Sequence, residues 1–145
     1  MDTPVGRITL TDTDGRITAL TWGGNASESS AVLHAACSEL AAYFDGRLSV
    51  FSVPLCLGEA GFQRDFLKAL CDIPFGQTRR YGDLAKGLGV SAQAVGQACG
   101  ANRVPILIPC HRVLGANGLG GYSGSGGIET KVALLRLEGA ASLLI

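Results

Sequence analysis

Ile106-Leu107-Ile108-Pro109-Cys110-His111-Arg112-Val113 is an apolar run that stops at a proline and then sets a thiol, an imidazole and a guanidinium in a row. A thiolate is a strong nucleophile, and a positive neighbour or a general base makes it available near neutral pH. Neighbours in sequence often point apart, so adjacency alone leaves three readings of Cys110 and His111: a cysteine hydrolase, a redox thiol, or burial without chemistry. A hydrolase also needs an oxyanion hole and a third residue to orient its base. Nothing in the chain identifies either.

Working outward, the second half of the chain reads as helical. Phe62, Phe66, Leu67 and Leu70 recur at helical spacing over 62–73, and Pro74-Phe75-Gly76 breaks the pattern. A short helix follows over 81–88. Ser91 is a suitable N-cap for another helix ending near Ala101. Two short helices joined by a tight turn holding Gly89 fit a helix-turn-helix. Downstream of Cys110, the glycine-rich stretch 115–127 reads as a loop and 129–138 as a last helix. The first half is different. Ile8–Thr11 and Arg16–Trp22 are β-prone runs around a turn ending Asp14-Gly15, an antiparallel hairpin. A helix over 31–44 should bury Val32, Leu33, Cys37, Leu40, Ala41 and Phe44 and stop near Gly46. Residues 50–53 suggest a third strand before Pro54, and Gly58–Gly61 a joint between subdomains.

Composition sets bounds on function. At 145 residues with 47% hydrophobic content, the chain suits one compact unit or two small subdomains. No run approaches the roughly 18 to 20 apolar residues of a membrane span. Met1-Asp2-Thr3-Pro4 lacks the basic-then-apolar layout of a signal peptide, so the expectation is a cytoplasmic protein without a membrane partner. The five cysteines are an odd number, widely spaced and without a Cys-x-x-Cys pair, which fits neither a disulfide framework nor a zinc knuckle. Four of them (Cys37, Cys56, Cys71 and Cys99) read as small buried hydrophobes. His34 has no catalytic company and reads as filler. Net charge is zero, which argues against an indiscriminate polyanion binder, but its distribution is uneven. Residues 1–60 hold three arginines and seven acids, whereas 61–145 hold nine basic residues and five acids. The second half can therefore face a nucleic acid.

Pro109-Cys110-His111-Arg112-Val113 resembles the active-site signature of the O6-alkylguanine-DNA alkyltransferases (methylated-DNA–protein-cysteine methyltransferases). The likeness continues in order through Phe62-Gln63-Arg64, Ile73-Pro74-Phe75-Gly76, Tyr81-Gly82-Asp83-Leu84-Ala85 and Ala94-Val95-Gly96. Past the signature it runs through Gly121-Tyr122-Ser123-Gly124, Lys131 and Leu134-Leu135-Arg136-Leu137-Glu138-Gly139. It covers about residues 61–139; residues 1–60 are similar only in general layout.

The resemblance implies an α+β fold. A small N-terminal antiparallel sheet with a helix (1–57) precedes a mainly helical DNA-binding and catalytic domain with a helix-turn-helix (58–145). It implies direct-reversal DNA repair, in which Cys110 takes the alkyl group of O6-alkylguanine as a stable thioether and the protein is consumed. His111 would draw the thiol proton through a bound water, with Glu138 orienting the imidazole. Tyr81 would bond the flipped base and neutralise charge on the departing guanine. Asn102 matches a hinge that braces the helix-turn-helix against the active-site segment. Val113, Tyr122 and Ser123 match walls of the base pocket; Arg112 looks structural, and Lys131 lies near the site. The lesion must leave the duplex to be reached. Ser91, Ala92 and Ala94, with Gly96 and Ala98, are small enough for a helix to approach the minor groove of double-stranded DNA. The resemblance implies a monomer, no cofactor and no metal, since the zinc ligands of some relatives have no counterpart in 1–60.

Three departures stand out. Gln93 occupies a position where arginine is usual and fills the space of the flipped nucleotide. The turn Gly89-Val90-Ser91 is short, and Arg103 follows Asn102 where proline is common. The main alternative is a lesion-sensing DNA-binding protein without transfer, but such relatives replace the reactive cysteine, usually by tryptophan.

Overall fold

The computed structural model describes residues 1–24, 29–116, 118–122 and 124–140. The chain divides into two compact units, Met1–Cys56 and a second from Leu57 onward.

In the first unit, β1 (Asp2–Thr3), β2 (Gly6–Thr13) and β3 (Arg16–Trp22) form an antiparallel sheet in that order. The β2–β3 hairpin closes through Asp14 (φ 53°) and Gly15 (φ 75°), both left-handed, as a two-residue turn matched to strand twist requires. Ile8, Ile17 and Leu20 bury their side chains. Helix α1 (Ala31–Phe44) starts where the Ser30 hydroxyl accepts from Leu33 N–H at 3.2 Å. It stops at left-handed Gly46, with Arg47 N–H reaching the Ala42 carbonyl (2.8 Å) and Gly46 N–H that of Tyr43 (3.1 Å). Its buried stripe is Ala36, Leu40 and Tyr43, with Val32, Leu33, Cys37 and Phe44 only half-buried and Ala41 exposed. The expected face was therefore rotated, because Tyr43 turns inward to pack on Phe51 with ring centroids 5.2 Å apart.

The strand expected at 50–53 does not form. Glu39 draws the backbone N–H groups of Ser52 (2.8 Å) and Val53 (3.1 Å) onto its carboxylate, and Pro54 has no N–H to offer a ladder. The chain meets the sheet only at an isolated parallel bridge from Leu55 to Ile17. The third strand is the short β1 instead.

In the second unit, α2 (Phe62–Cys71) buries Phe66, Leu67 and Leu70. β4 (Arg79–Arg80) leads into α3 (Tyr81–Leu88), which ends at left-handed Gly89 (φ 69°). Ser91 then caps α4 (Ala92–Gly100), its hydroxyl accepting from Ala94 N–H at 3.1 Å. α4 buries Val95, Ala98 and Cys99 and leaves Ala92, Gln93, Gly96 and Gly100 exposed. A single 3-10 turn, Cys110–Arg112, runs into β5 (Val113–Leu114), which pairs in parallel with β4. This pairing ties the entrance of α3 to the exit of the Cys110 turn. Helix α5 (Ile128–Leu137) buries Leu134 and Leu135 and packs on the 3-10 turn. Among the described residues, no helix is long and apolar enough to cross a membrane.

Candidate active site

Cys110 is held by its backbone before its side chain matters. Pro109 sits at φ −82° and ψ 64°, and Cys110 N–H donates back to the Ile108 carbonyl at 2.8 Å: an inverse γ-turn, with φ pre-set by the proline ring. Upstream, Ile106 has φ 74°, a left-handed conformation unfavourable to a β-branched residue by about 1–3 kcal/mol. Bonds on both sides hold it there, Leu107 N–H to the Pro105 carbonyl (2.9 Å) and Ile108 N–H to that of Val104 (2.9 Å). Asn102 pins the same segment to the end of α4. Its amide donates to the Ile108 carbonyl (3.0 Å) and its oxygen accepts from Val104 N–H (3.0 Å).

Beside Cys110, His111 is fully buried and its Nε2 lies 2.6 Å from Glu138 Oε2. Arg112 grips the same carboxylate at both oxygens, Nε at 2.8 Å and a terminal nitrogen at 3.0 Å, and its other nitrogen donates to the Ile73 carbonyl at 2.7 Å. The paired geometry suits a planar guanidinium. His111 Nδ1 is buried and has no hydrogen-bond partner among the described residues. Burial pushes the His111 pKa down, against the pull of Glu138, which raises it. Burial likewise pushes the Cys110 thiol up, opposed by a hydrogen bond from Asn102 and by the charge of Lys131. Both shifts favour the uncharged forms, a thiol and an imidazole, over a thiolate–imidazolium pair.

Lys131 is also fully buried. Its ammonium spends its three protons on the carbonyls of Val113 (2.6 Å), Leu119 (2.5 Å) and Gly121 (3.0 Å). Desolvation draws its pKa down to about 8. Those bonds shape the glycine loop into the wall of a cavity of about 410 Å³, lined by Tyr81, Gly96, Cys99, Gly100, Cys110, Gly121 and Tyr122. Gly120 (φ 71°) lies against Tyr81, where a Cβ would come within 2.8 Å of the ring. The cavity falls in the size range of small-molecule sites.

A thiol, an imidazole held by a buried carboxylate and a cavity large enough for a base all lie in the second unit. A family model described as 6-O-methylguanine DNA methyltransferase, DNA binding domain, matches residues 61–140, and its companion, the ribonuclease-like domain, matches residues 1–57. The chain belongs to the 6-O-methylguanine DNA methyltransferase family. It is 40% identical to a methylated-DNA–protein-cysteine methyltransferase from Mycolicibacterium paratuberculosis, over 95% of this chain and 89% of that protein. Its fold matches the crystal structure of Mycobacterium tuberculosis O6-methylguanine methyltransferase at a TM-score of 0.84 and 39% identity, covering 100% of this chain and 93% of the other. It also matches Mycobacterium tuberculosis OGT in complex with DNA at 0.85 and 42%, covering 97% and 91%.

Within this methyltransferase fold the residues singled out from sequence fall into three places. Cys110, Tyr81 and Tyr122 line the cavity. His111, Glu138, Arg112, Asn102, Lys131 and Val113 form the buried shell behind it. Arg112, read from sequence as structural, has its donors turned inward onto Glu138 and Ile73. Ser91, Ala92 and Gln93 are exposed at the start of α4, with Ala94 half-buried. Ser123 lies outside the described residues. Sequence reasoning missed Cys99, which was read as core filler and instead shares the cavity with Cys110. It also missed Gly96, Gly100 and Gly121 as cavity walls. The helical spacing of Cys99 relative to Gly96 and Gly100 carried that signal.

Proposed function

We propose that the protein repairs O6-alkylguanine in double-stranded DNA by moving the alkyl group irreversibly onto Cys110, one event per molecule. The observation that carries this reading is a buried thiol on the cavity wall, followed in the chain by a histidine with one nitrogen held by Glu138 and the other open. In the reaction, Cys110 Sγ attacks the alkyl carbon, the carbon–O6 bond breaks, and the thiol proton passes through a water to His111 Nδ1. Tyr81, whose pKa burial pushes up, stays a phenol and donates a hydrogen bond to the leaving guanine, which then takes its proton from solvent. A thioether has no leaving group that water can readily displace, so the protein is spent. Residues 58–145 act as the DNA-binding and catalytic part, and residues 1–57 contribute no reacting group. The exposed small residues of α4 meet the minor groove while the lesion swings into the cavity. The protein acts as a monomer in the cytoplasm, where a reducing environment keeps Cys110 a thiol.

The direct test uses an oligonucleotide duplex bearing O6-methylguanine, followed by tryptic peptide mass spectrometry. One methyl on the peptide 104–112, stoichiometric with protein, is expected. Binding with no mass change makes the protein a sensor, and an unmodified, unbound protein removes the proposal.

The pH profile follows from the resting pair. With His111 lowered from 6.5 and Cys110 raised from 9.0, both stay neutral between the two values, so base and thiol are both competent throughout. Lys131, its pKa drawn down to about 8, is half-deprotonated at that pH. The single-turnover rate should therefore be flat from about pH 6.5 to 7. Attack by a thiolate formed by simple ionisation of a thiol whose pKa lies above the window would instead give a rise of about tenfold per pH unit. Stopped or quenched single-turnover kinetics across that window decide between them.

Gln93 offers a second check. It lies exposed on the first turn of α4 and brings neither charge nor much planar surface to an orphaned base. Gln93→Arg is expected to speed repair of duplex substrate roughly fivefold, the equivalent of about 1 kcal/mol. The rate on free O6-methylguanine nucleoside should stay as it is. No gain on duplex would mean that α4 does not fill the space of the flipped nucleotide.

A further inference from the structure

The cavity holds a second sulfur. Cys99 and Cys110 both line it, while Cys37 and Cys56 belong to the other unit and Cys71 is exposed near the end of α2. Their backbones are joined by a short chain of hydrogen bonds. Asn102 N–H donates to the Cys99 carbonyl (3.2 Å), Asn102 Nδ2 to the Ile108 carbonyl (3.0 Å), and Cys110 N–H to that same Ile108 carbonyl (2.8 Å). One asparagine thus fixes both cysteine-bearing segments to each other. Both thiols are free and nearly buried, at 9% and 5% exposure, so the cavity is their route to solutes. A space of about 410 Å³ readily admits a molecule as small as hydrogen peroxide.

We infer that Cys99 is the resolving thiol of Cys110, forming a reversible disulfide with it when peroxide oxidises the site. The steps balance. Cys110 thiol and hydrogen peroxide give the sulfenic acid and one water. Cys99 sulfur then attacks the sulfenic sulfur, and its proton leaves with the hydroxyl as a second water, forming the S–S bond. A thiol reductant restores both groups. Cys110 is followed by His111, whose open ring nitrogen can draw the thiol proton as peroxide arrives, whereas the Cys99 thiol, pushed up to about 12 by burial and by the nearby Cys110, sits on α4 away from that base and meets peroxide less readily. It acts on the oxidised neighbour. The consequence is protective. A single-use acceptor driven to sulfinic acid is lost for good, whereas a disulfide returns the molecule to service.

The loss of acceptor function rests on Cys110 being the acceptor, but the chemistry does not. Trypsin separates the two cysteines into peptides 87–103 and 104–112, each with one thiol. After peroxide at a few equivalents per chain and blocking of free thiols, non-reducing digestion of the full chain should yield these two peptides joined and lighter by two hydrogens than their sum. Methyl-transfer stoichiometry should fall and return on reduction. In Cys99→Ala, the same treatment should leave Cys110 as the sulfinate, with no recovery relative to that variant's own untreated level. Sulfinate at Cys110 of the wild type without the joined peptide would overturn the inference, as would equal recovery in both chains. Peptide mapping needs no DNA, and transfer by unoxidised protein is scored separately, so failure of this inference is distinguishable from failure of the repair reading.

Discussion

Cys110→Ala is expected to remove methyl transfer completely while leaving affinity for lesion-bearing duplex within about threefold of the wild type. The other sulfur in the cavity does not substitute. Cys99 is held protonated, with its pKa pushed up to about 12, and sits on α4, not in the His111 turn. Affinity draws on the exposed face of α4 and on the cavity walls, from which the variant deletes a single sulfur atom. Alanine at this buried position leaves a small void, about 1–2 kcal/mol in stability, too little to unfold the chain. Intact mass after incubation with excess O6-methylguanine duplex reads the first effect and gel shift the second. A methyl still arriving on the protein, above all on peptide 87–103, would move the acceptor to Cys99 and sink the assignment.

What could be read from sequence was whatever depends on local pattern. The Asp14-Gly15 turn, the Ser91 cap and the stops at Gly46 and Gly89 each follow from one or two residues with a single conformational use, and each is present. The third strand failed for a non-local reason, because the carboxylate that takes the N–H groups of Ser52 and Val53 comes from Glu39 on α1. The face of α1 was misjudged because apolar spacing cannot tell which of two adjacent stripes an aromatic like Tyr43 will claim. At the site, the Cys110–His111 motif is visible, but the neutrality of the pair is not. Neutrality comes from desolvation, which only the packed chain imposes. Lys131 is the clearest case: the resemblance puts it near the site, but its burial becomes tolerable only once three loop carbonyls converge on it. Cys99 was misread because a small sulfur suits a core and a cavity wall equally well.

Glu138→Ala is expected to cost about 3–5 kcal/mol of stability, the range for breaking a buried charge pair from one side. The carboxylate side chain is fully buried and accepts from both Arg112 and His111. Removing it strands the buried Arg112 guanidinium, which keeps its hydrogen bond to the Ile73 carbonyl. For a chain of this length that corresponds to a drop in Tm of roughly 10 °C. Transfer should slow as well, since the His111 ring loses the contact that fixes its orientation and its raised affinity for a proton. The two effects separate in Glu138→Gln. Glutamine keeps the volume and can still accept one hydrogen bond, so stability recovers in part, but a neutral amide cannot stabilise imidazolium and the rate stays low. Arg112→Met adds the decisive arm. If the cost in Glu138→Ala is an uncompensated buried charge, the double variant should be more stable than the sum of the two single losses predicts, by more than about 1 kcal/mol. Chemical denaturation of the four chains measures this cycle. Strict additivity, or a loss under about 1 kcal/mol for Glu138→Ala, would mean the carboxylate serves neither as the anchor of Arg112 nor as the brace behind His111.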